Sequence, residues 1–191
     1  MSDRPPPHSH LGGGSEPKAE DSRCGLLVFQ LAERSMALPL TDVERITPIA
    51  ELLCPPGLPQ ALEGILNLAG VAVPVLRLDR LFGLPHRRLG LYSILIVLRV
   101  PREGSIAVLA DRVSEILWMP ASAFLPIAPA DSFNGLAEAA VAHKDGVIHV
   151  LSLTRMLLAK EEEALAAFQA MAQQRIQDWE AGPYEPHVTS S

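Results

Sequence analysis

Short runs of apolar residues, each bounded by glycine, proline or charged residues, dominate the chain between residues 26 and 151. Runs of this length and spacing, without a long helical pattern between them, are typical of the strands of a β-barrel or β-sandwich. The pattern predicts an all-β fold, with strands at residues 26–31, 36–40, 64–68, 71–76, 94–100, 106–110, 136–142 and 147–151.

The same order of apolar runs and turns occurs twice in the chain. In each half, two strands precede a mixed segment, a proline-rich connection and a glycine, which is Gly64 in the first half and Gly135 in the second. Each half closes on a strand-like alternation that becomes helical, at residues 73–82 and 148–157. The repeat predicts two similar small barrels, at about 24–82 and 92–157, within one domain at 24–158; whether they exchange strands is left open. A barrel of roughly 60 residues buries little apolar surface, so we expect the two to share a hydrophobic seam.

Both ends of the chain differ from this pattern. Residues 1–23 contain three consecutive prolines and a glycine run without hydrophobic periodicity, which predicts a disordered tail. Residues 159–191 place Leu165, Phe168, Ile176 and Trp179 at helical spacing after an acidic run, which predicts an amphipathic helix and a frayed C-terminus. The helix either continues from Leu153 or starts after a break, and it either docks on its own domain or binds a partner.

Charge and composition narrow the classes of function. The chain has 191 residues, 48% of them hydrophobic, and a formal net charge of -6. This charge repels phosphate backbones, so we expect no nucleic-acid partner and interpret the basic run at residues 86–88 as a solvated loop. The most apolar stretch, residues 64–78, contains Asn67, Pro74 and Arg77 and is too short to span a bilayer, so we expect no direct membrane insertion.

The cysteines and the N-terminus indicate the compartment. Cys24 and Cys54 have neither CxxC spacing nor the number needed for a disulfide framework, which favours reduced thiols. The N-terminal residues show no basic region followed by an apolar stretch, so no signal peptide is indicated. We therefore expect a cytoplasmic protein.

The sequence contains no pattern typical of a catalytic or metal centre. The glycine-rich residues 64–70 fit neither a dinucleotide-binding nor a P-loop motif, and the histidines lack metal-ligand spacing. Asp79 and Asp111 follow strands, where a structural role in a turn or cap is common. We expect no enzyme activity, no cofactor and no metal. The rival hypothesis is a small-molecule-binding barrel, or another interaction module, whose apolar interior would hold a ligand.

Residues 64–78 resemble the signature of the CheW-like coupling proteins of bacterial chemosensory arrays, with Gly64, Asn67, Gly70 and Pro74 among the matching positions. Residues 43–46, 110–116 and 135–137 support the resemblance, which extends over about 26–158. It implies two five-stranded SH3-like barrels that couple the cytoplasmic tip of a methyl-accepting chemoreceptor to the regulatory domain of a CheA-like histidine kinase. Other CheW-like proteins are further expected partners, and membrane-associated receptor arrays are the expected location.

The resemblance also suggests where partners bind. Receptor contacts are expected in the groove between the barrels, and kinase contacts on exposed strands and loops of one barrel. Ala69 stands where the family usually has an arginine, expected to interact with the acidic side chain at Glu44, and Arg77 stands where Asp or Asn is common, with Asp79 expected to take part of that role. These departures predict a divergent member, serving chemotaxis or an alternative pathway such as pilus motility or second-messenger control. The expected partner-interface residues are Glu44, Asn67, Ala69, Gly70, Val71, Pro74, Arg77, Asp79, Asp111, Val113 and Gly135.

Overall fold

The computed structural model describes residues 23–85, 90, 92–101, 104–144 and 146–162. Three predicted features lie outside the described residues. They are residues 1–22 of the N-terminal tail, the basic run at residues 86–88 and the part of the C-terminal helix beyond residue 162.

The described residues are mostly β-strand, which confirms the predicted all-β class. All eight predicted strands are present, with boundaries that differ by a few residues at most. The strands are β1 (Arg23–Leu31), β2 (Arg34–Pro39), β3 (Val43–Pro48), β4 (Leu52–Leu53), β5 (Leu62–Leu68), β6 (Val71–Leu76), β7 (Ile94–Val100), β8 (Gly104–Ala110), β9 (Arg112–Pro120), β10 (Phe124–Leu125), β11 (Ala137–His143) and β12 (Gly146–Leu151). Helix α1 (Leu78–Leu81) follows β6, and helix α2, described over residues 153–162, follows β12. Short 3-10 turns lie at Ala121–Ala123 and Pro129–Asp131.

The strands form two six-stranded sheets that each combine both halves of the sequence. Sheet I has the order β10-β11-β12-β2-β1-β9, and sheet II has the order β3-β7-β8-β6-β5-β4. The hairpin β1–β2 of the first half therefore lies in the sheet built mainly from the second half, and the hairpin β7–β8 lies in the other. Parallel pairings of β12 with β2 and of β6 with β8 join each hairpin to its sheet.

Each sheet is curled, because its two edge strands are joined by a short connection. In sheet I, β9 ends at Pro120 and β10 begins at Phe124. Four residues of chain span at most roughly 14 Å, whereas five flat strand intervals would span roughly 24 Å. Sheet II is constrained in the same way between Pro48 and Leu52.

Three apolar clusters fill the structure. The largest lies between the sheets and includes Leu27, Phe29, Ile96 and Val108, which come from the two exchanged hairpins. We call this cluster the seam. A second cluster fills the inside of sheet II and a third fills the inside of sheet I, so both faces of the exchanged hairpins are buried. An apolar seam was predicted between the two sequence halves; the observed seam lies between two sheets that each contain strands of both halves.

The two halves also repeat each other at the level of hydrogen bonds. Arg80 in α1 donates from Nη1 to the carbonyl oxygens of Gln60 (2.6 Å) and Leu62 (3.3 Å). Arg155 in α2 donates from Nη1 to the carbonyl oxygens of Gly135 (2.9 Å) and Ala137 (3.1 Å). In each half an arginine on the closing helix therefore holds the start of the first strand of the preceding hairpin.

Gly64 illustrates how tightly sheet II is packed. A Cβ atom at this position would lie 2.8 Å from the Leu52 Cβ and 3.0 Å from the Leu53 carbonyl oxygen. We expect Gly64→Ala to lower the free energy of unfolding by about 1 to 3 kcal/mol, because β4 would have to move away from β5. Urea denaturation would measure the loss, and a stability equal to that of the parent protein would contradict the close approach of β4.

Candidate functional site

The outward side of β4, β5 and β6 carries much of the resemblance to the coupling-protein signature. Leu53, Ile65 and Pro74 lie in one cross-strand row, since Leu53 is paired with Ile65 and Ile65 with Pro74. The paired residues Asn67 and Ala72 form the next row on the same side. We call these five residues the signature face. Leu53 is 63% exposed, so a large apolar side chain is available to a partner at the edge of this face.

The turn between β5 and β6 closes one end of the signature face. Asn67 accepts a hydrogen bond at Oδ1 from the backbone N–H of Gly70, at 2.9 Å. Ala69 and Gly70 both have a left-handed backbone, with φ of 51° and 87°. Val71 follows the turn and is exposed. The structure therefore brings Asn67, Ala69, Gly70, Val71 and Pro74 together, and the asparagine serves to hold the turn.

Glu44 lies on β3, at the opposite edge of the same sheet. Its carboxylate accepts a hydrogen bond from the Ser105 hydroxyl at 2.8 Å and forms an ion pair with the neighbouring Arg45 at 3.3 Å. The arginine expected at position 69 is replaced by Ala69, and the guanidinium beside Glu44 comes from its sequence neighbour instead.

Arg77 and Asp79 do not reach the partner surface on which they were expected, because they are only 2% and 4% exposed. Arg77 donates from Nε to Asp79 Oδ1 at 2.8 Å, and its Nη2 donates to the second carboxylate oxygen. Arg77 Nη1 also contacts Glu63 Oε2 at 3.0 Å, and Arg80 Nη2 contacts the same oxygen at 3.3 Å. The hydrogen bond that Arg77 donates to Asp79 raises the pKa of Arg77 above its ordinary value, against the effect of burial. Arg77, which stands where the family commonly has Asp or Asn, therefore belongs to a largely buried ion cluster.

The expected site residues of the second half lie apart from the signature face. Asp111 accepts a hydrogen bond from the backbone N–H of Ala32 at 2.8 Å and so fixes the β1–β2 turn. Val113 packs against the seam. Gly135 has φ of 82° and donates its backbone N–H to the Ser132 hydroxyl at 3.1 Å. These three positions serve the fold in the described structure.

A second set of exposed apolar residues lies on sheet I, and the sequence interpretation missed it. Ile116 and Leu125 take the places in the repeat that Ile46 and Leu53 take in sheet II, and all four are exposed. Trp118, two residues after Ile116 on the same strand, is 58% exposed. Residues 116–119 form a continuous apolar run, so no alternation in the sequence identified Ile116 and Trp118 as the exposed pair.

A cleft of about 360 Å³ lies between elements of the two halves. Its walls come from the β2–β3 turn, the end of β7, β11 and the start of α2, and they include Asp42, Arg99, Glu138 and Thr154. Burial raises the pKa of the Asp42 carboxyl, and a hydrogen bond from Thr41 opposes that effect. The cleft lies where residues of the two halves meet.

Two further observations concern the chemistry of the described residues. Among them, no cluster of three His, Cys, Asp or Glu side chains is arranged to hold a metal ion. No helix within the described ranges is long and apolar enough to cross a membrane.

Comparison with known proteins gives a family and a fold. The sequence model of the CheW-like domain matches residues 25–161, which is well over half of the chain. Among solved structures, the crystal structure of scaffolding protein TtCheW from Thermoanaerobacter tengcongensis is similar, with a TM-score of 0.65 and 24% sequence identity. The similarity covers 72% of this chain and 90% of that chain, and it shows a shared fold. No curated protein matches this chain.

Proposed function

Since this chain belongs to the CheW-like domain family, we propose that it is a non-catalytic scaffold that couples a chemoreceptor to a CheA-like histidine kinase. The receptor would contribute its cytoplasmic tip and the kinase its regulatory domain. Other CheW-like proteins are further partners, and the cytoplasmic side of membrane-associated receptor arrays is the location.

Exposed apolar residues at corresponding places on the two sheets support this proposal most directly. A coupling protein needs separate surfaces for separate partners, and each sheet exposes apolar residues at corresponding places, Ile46 and Leu53 on one and Ile116 and Leu125 on the other. The seam joins the two sheets through an extensive buried apolar cluster. Exposed apolar side chains of this kind are typical of the centre of a protein–protein interface. We also propose that the two curled sheets are the two SH3-like barrels.

The partners are assigned to different surfaces. We place the kinase regulatory domain on the signature face, where the rows formed by Leu53, Ile65 and Pro74 and by Asn67 and Ala72 are accessible. We place the receptor tip along a groove between the halves, near Asp42 and Arg99, and a further CheW-like protein on the exposed apolar residues Ile116 and Leu125 of sheet I. The insides of both sheets are filled with packed apolar side chains, which favours binding at outer surfaces over a ligand held inside a barrel.

Leu53→Asp tests the kinase assignment. We expect this change to weaken binding of the kinase regulatory domain by at least about tenfold, because a charge would replace an apolar contact at the interface. Isothermal titration calorimetry with the regulatory domain of a CheA-like kinase from the same organism would measure the loss. Leu125→Asp is the matched control, since Leu125 takes the same place in the repeat and is also exposed; it should leave kinase affinity nearly unchanged.

Two outcomes would count against the proposal at different levels. Equal loss of kinase affinity in Leu53→Asp and Leu125→Asp would contradict the assignment to the signature face alone. The coupling function itself would be contradicted if the parent protein, at high micromolar concentration, failed to bind either the kinase regulatory domain or the receptor tip.

A further inference from the structure

The turn before β11 connects the two halves at the edge of the seam. We call residues 132–135 the clasp turn. Asn134 donates from Nδ2 to the carbonyl oxygen of Leu81 in α1, at 2.8 Å and 53 positions away in sequence. The Phe133 ring lies 5.1 Å from the Phe82 ring of the first half and 4.8 Å from the His149 ring of the second. One short turn of the second half thus contacts the closing helix of the first.

The clasp turn is held in an unfavourable backbone conformation. Phe133 and Asn134 have φ of 51° and 58°, in the left-handed region that non-glycine residues rarely occupy, and Gly135 follows at 82°. Each such residue costs free energy, so the surrounding contacts must compensate. The Ser132 hydroxyl supplies part of this by donating to the Pro129 carbonyl oxygen at 2.7 Å, and the backbone N–H of Ala137 donates to the Ser132 carbonyl oxygen at 2.9 Å.

His149 supports the clasp turn from β12. Its ring meets the Phe133 ring edge to face, and its Nδ1 is buried without a hydrogen-bond partner among the described residues. The Arg34 guanidinium lies 5.4 Å from the centre of the Phe133 ring. A positive charge on His149 would therefore form beside an existing cation. Nδ1 has no acceptor among the described residues, and the Ser35 backbone is the acceptor that acts on the ring.

The charged groups acting on His149 come from two neighbouring elements. Arg34 lies on β2 and Asp131 lies in the 3-10 turn before the clasp turn. Burial lowers the pKa of His149, and Arg34 acts in the same direction, whereas a backbone hydrogen bond with Ser35 and the Asp131 carboxylate oppose them. The net effect is a pKa below the ordinary histidine value of about 6.5, so the neutral ring is the form that the fold stabilises.

The His149 ring has no titratable counterpart at the corresponding position of sheet II. Leu125, Ala140 and His149 form a cross-strand row on sheet I that corresponds to the row Leu53, Ile65 and Pro74 on sheet II. Proline thus occupies the corresponding position in sheet II, where no titration can occur.

We propose that His149 is a pH-sensitive latch that holds the clasp turn closed while its ring is neutral and releases it when the ring is protonated. Release would withdraw Phe133 from Phe82 and His149 and loosen the contact between Asn134 and α1. This latch goes beyond the coupling function and does not depend on it.

The sign of the pH dependence follows from the lowered pKa. The unfolded chain binds a proton at His149 more readily than the folded chain does. The contribution of His149 to stability is therefore complete above about pH 6.5 and is lost as the pH falls towards the folded pKa.

The experiment is nuclear magnetic resonance on the full chain, between about pH 7.5 and about pH 5.5. The His149 ring should titrate with a midpoint below its ordinary value. The amides of Gly135, Leu136 and Ala137, which are hydrogen-bonded in the clasp turn, should lose protection from hydrogen exchange on acidification, after correction for the intrinsic exchange rate. The amide of Arg77, bonded to the Ala61 carbonyl in the first half, is the internal reference and should keep its protection.

Matched variants separate this latch from general acid sensitivity. His149→Phe keeps an aromatic ring and cannot be protonated, so it should keep clasp protection at low pH. His143→Gln removes a histidine of β11 whose Nε2 lies 3.8 Å from Glu115 Oε1 on β9, and it should behave like the parent protein. His149→Gln replaces His149→Phe if the latter does not fold. The proposal is overturned if the parent protein keeps clasp protection at low pH, if His149→Phe or its replacement loses it equally, or if His149 titrates at or above the ordinary value.

Discussion

Arg77→Ala is expected to lower the free energy of unfolding by about 3 to 5 kcal/mol. The change removes the guanidinium that contacts both Asp79 and Glu63 and leaves the Asp79 carboxylate, which is only 4% exposed, without that partner. A buried carboxylate that loses its cation keeps its desolvation cost and loses the attraction that offset it. Urea denaturation at neutral pH would measure the effect as a shift of the midpoint at constant slope.

Two variants separate the ion cluster from a general effect of removing arginine. Arg155→Ala removes the exposed arginine of α2 and only two hydrogen bonds to carbonyl oxygens, so it should cost about 1 to 2 kcal/mol. The double variant Arg77→Met with Asp79→Leu removes both buried charges and should recover much of the loss. An Arg77→Ala protein as stable as the parent protein would show that Arg77 and Asp79 are not a buried pair.

Val75→Asp is expected to cost about 4 to 5 kcal/mol or more, which is a large part of the stability of a domain of this size. Val75 is fully buried in the apolar cluster inside sheet II, where an aspartate would lose its hydration among apolar side chains. Loss of the cooperative thermal transition, followed by far-ultraviolet circular dichroism, would show the effect.

Ala72→Asp is the matched control for this change, because Ala72 lies on the same strand and is exposed on the signature face. It should change the free energy of unfolding by no more than about 0.5 kcal/mol. Equal destabilisation by both variants would mean that β6 does not present one buried and one exposed side.

The sequence was sufficient to predict the all-β class and the repeat, because strand-forming apolar runs bounded by turns are a local signal. Four strands were not predicted as such, the two-residue strands β4 and β10 and the longer edge strands β3 and β9. The strands β3 and β9 carry polar residues, half-buried Glu44 and exposed Arg45 in β3 and exposed Arg112 and Glu115 in β9, and each pairs with only one neighbour at a sheet edge. Edge strands of this kind lack the continuous apolar pattern of central strands.

The repeat did not predict which strands each sheet would contain. When two halves have similar hairpins, the hydrophobic pattern of a hairpin fits either sheet equally well, and the sequence alone does not determine which one it joins. In the structure both faces of β1 are buried, with Leu26 and Val28 inside sheet I and Leu27 and Phe29 in the seam. The continuous apolar run at residues 26–29 is consistent with this position but does not identify it.

The site was predicted in part. The turn and strand residues Asn67, Ala69, Gly70, Val71 and Pro74 do lie together, because they are close in sequence on one hairpin. Arg77 and Asp79 were placed at the partner interface because of the resemblance to the coupling proteins, and the tertiary partner Glu63 that permits the burial of Arg77 is 14 positions away in sequence.

A coupling protein must hold a receptor tip and a kinase regulatory domain at the same time. Sedimentation velocity on an equimolar mixture of the three proteins tests this requirement most directly, with each pair measured separately. We expect one species that contains all three proteins and sediments faster than either pair. Two separate pairs without the triple complex, with one partner displacing the other, would contradict it.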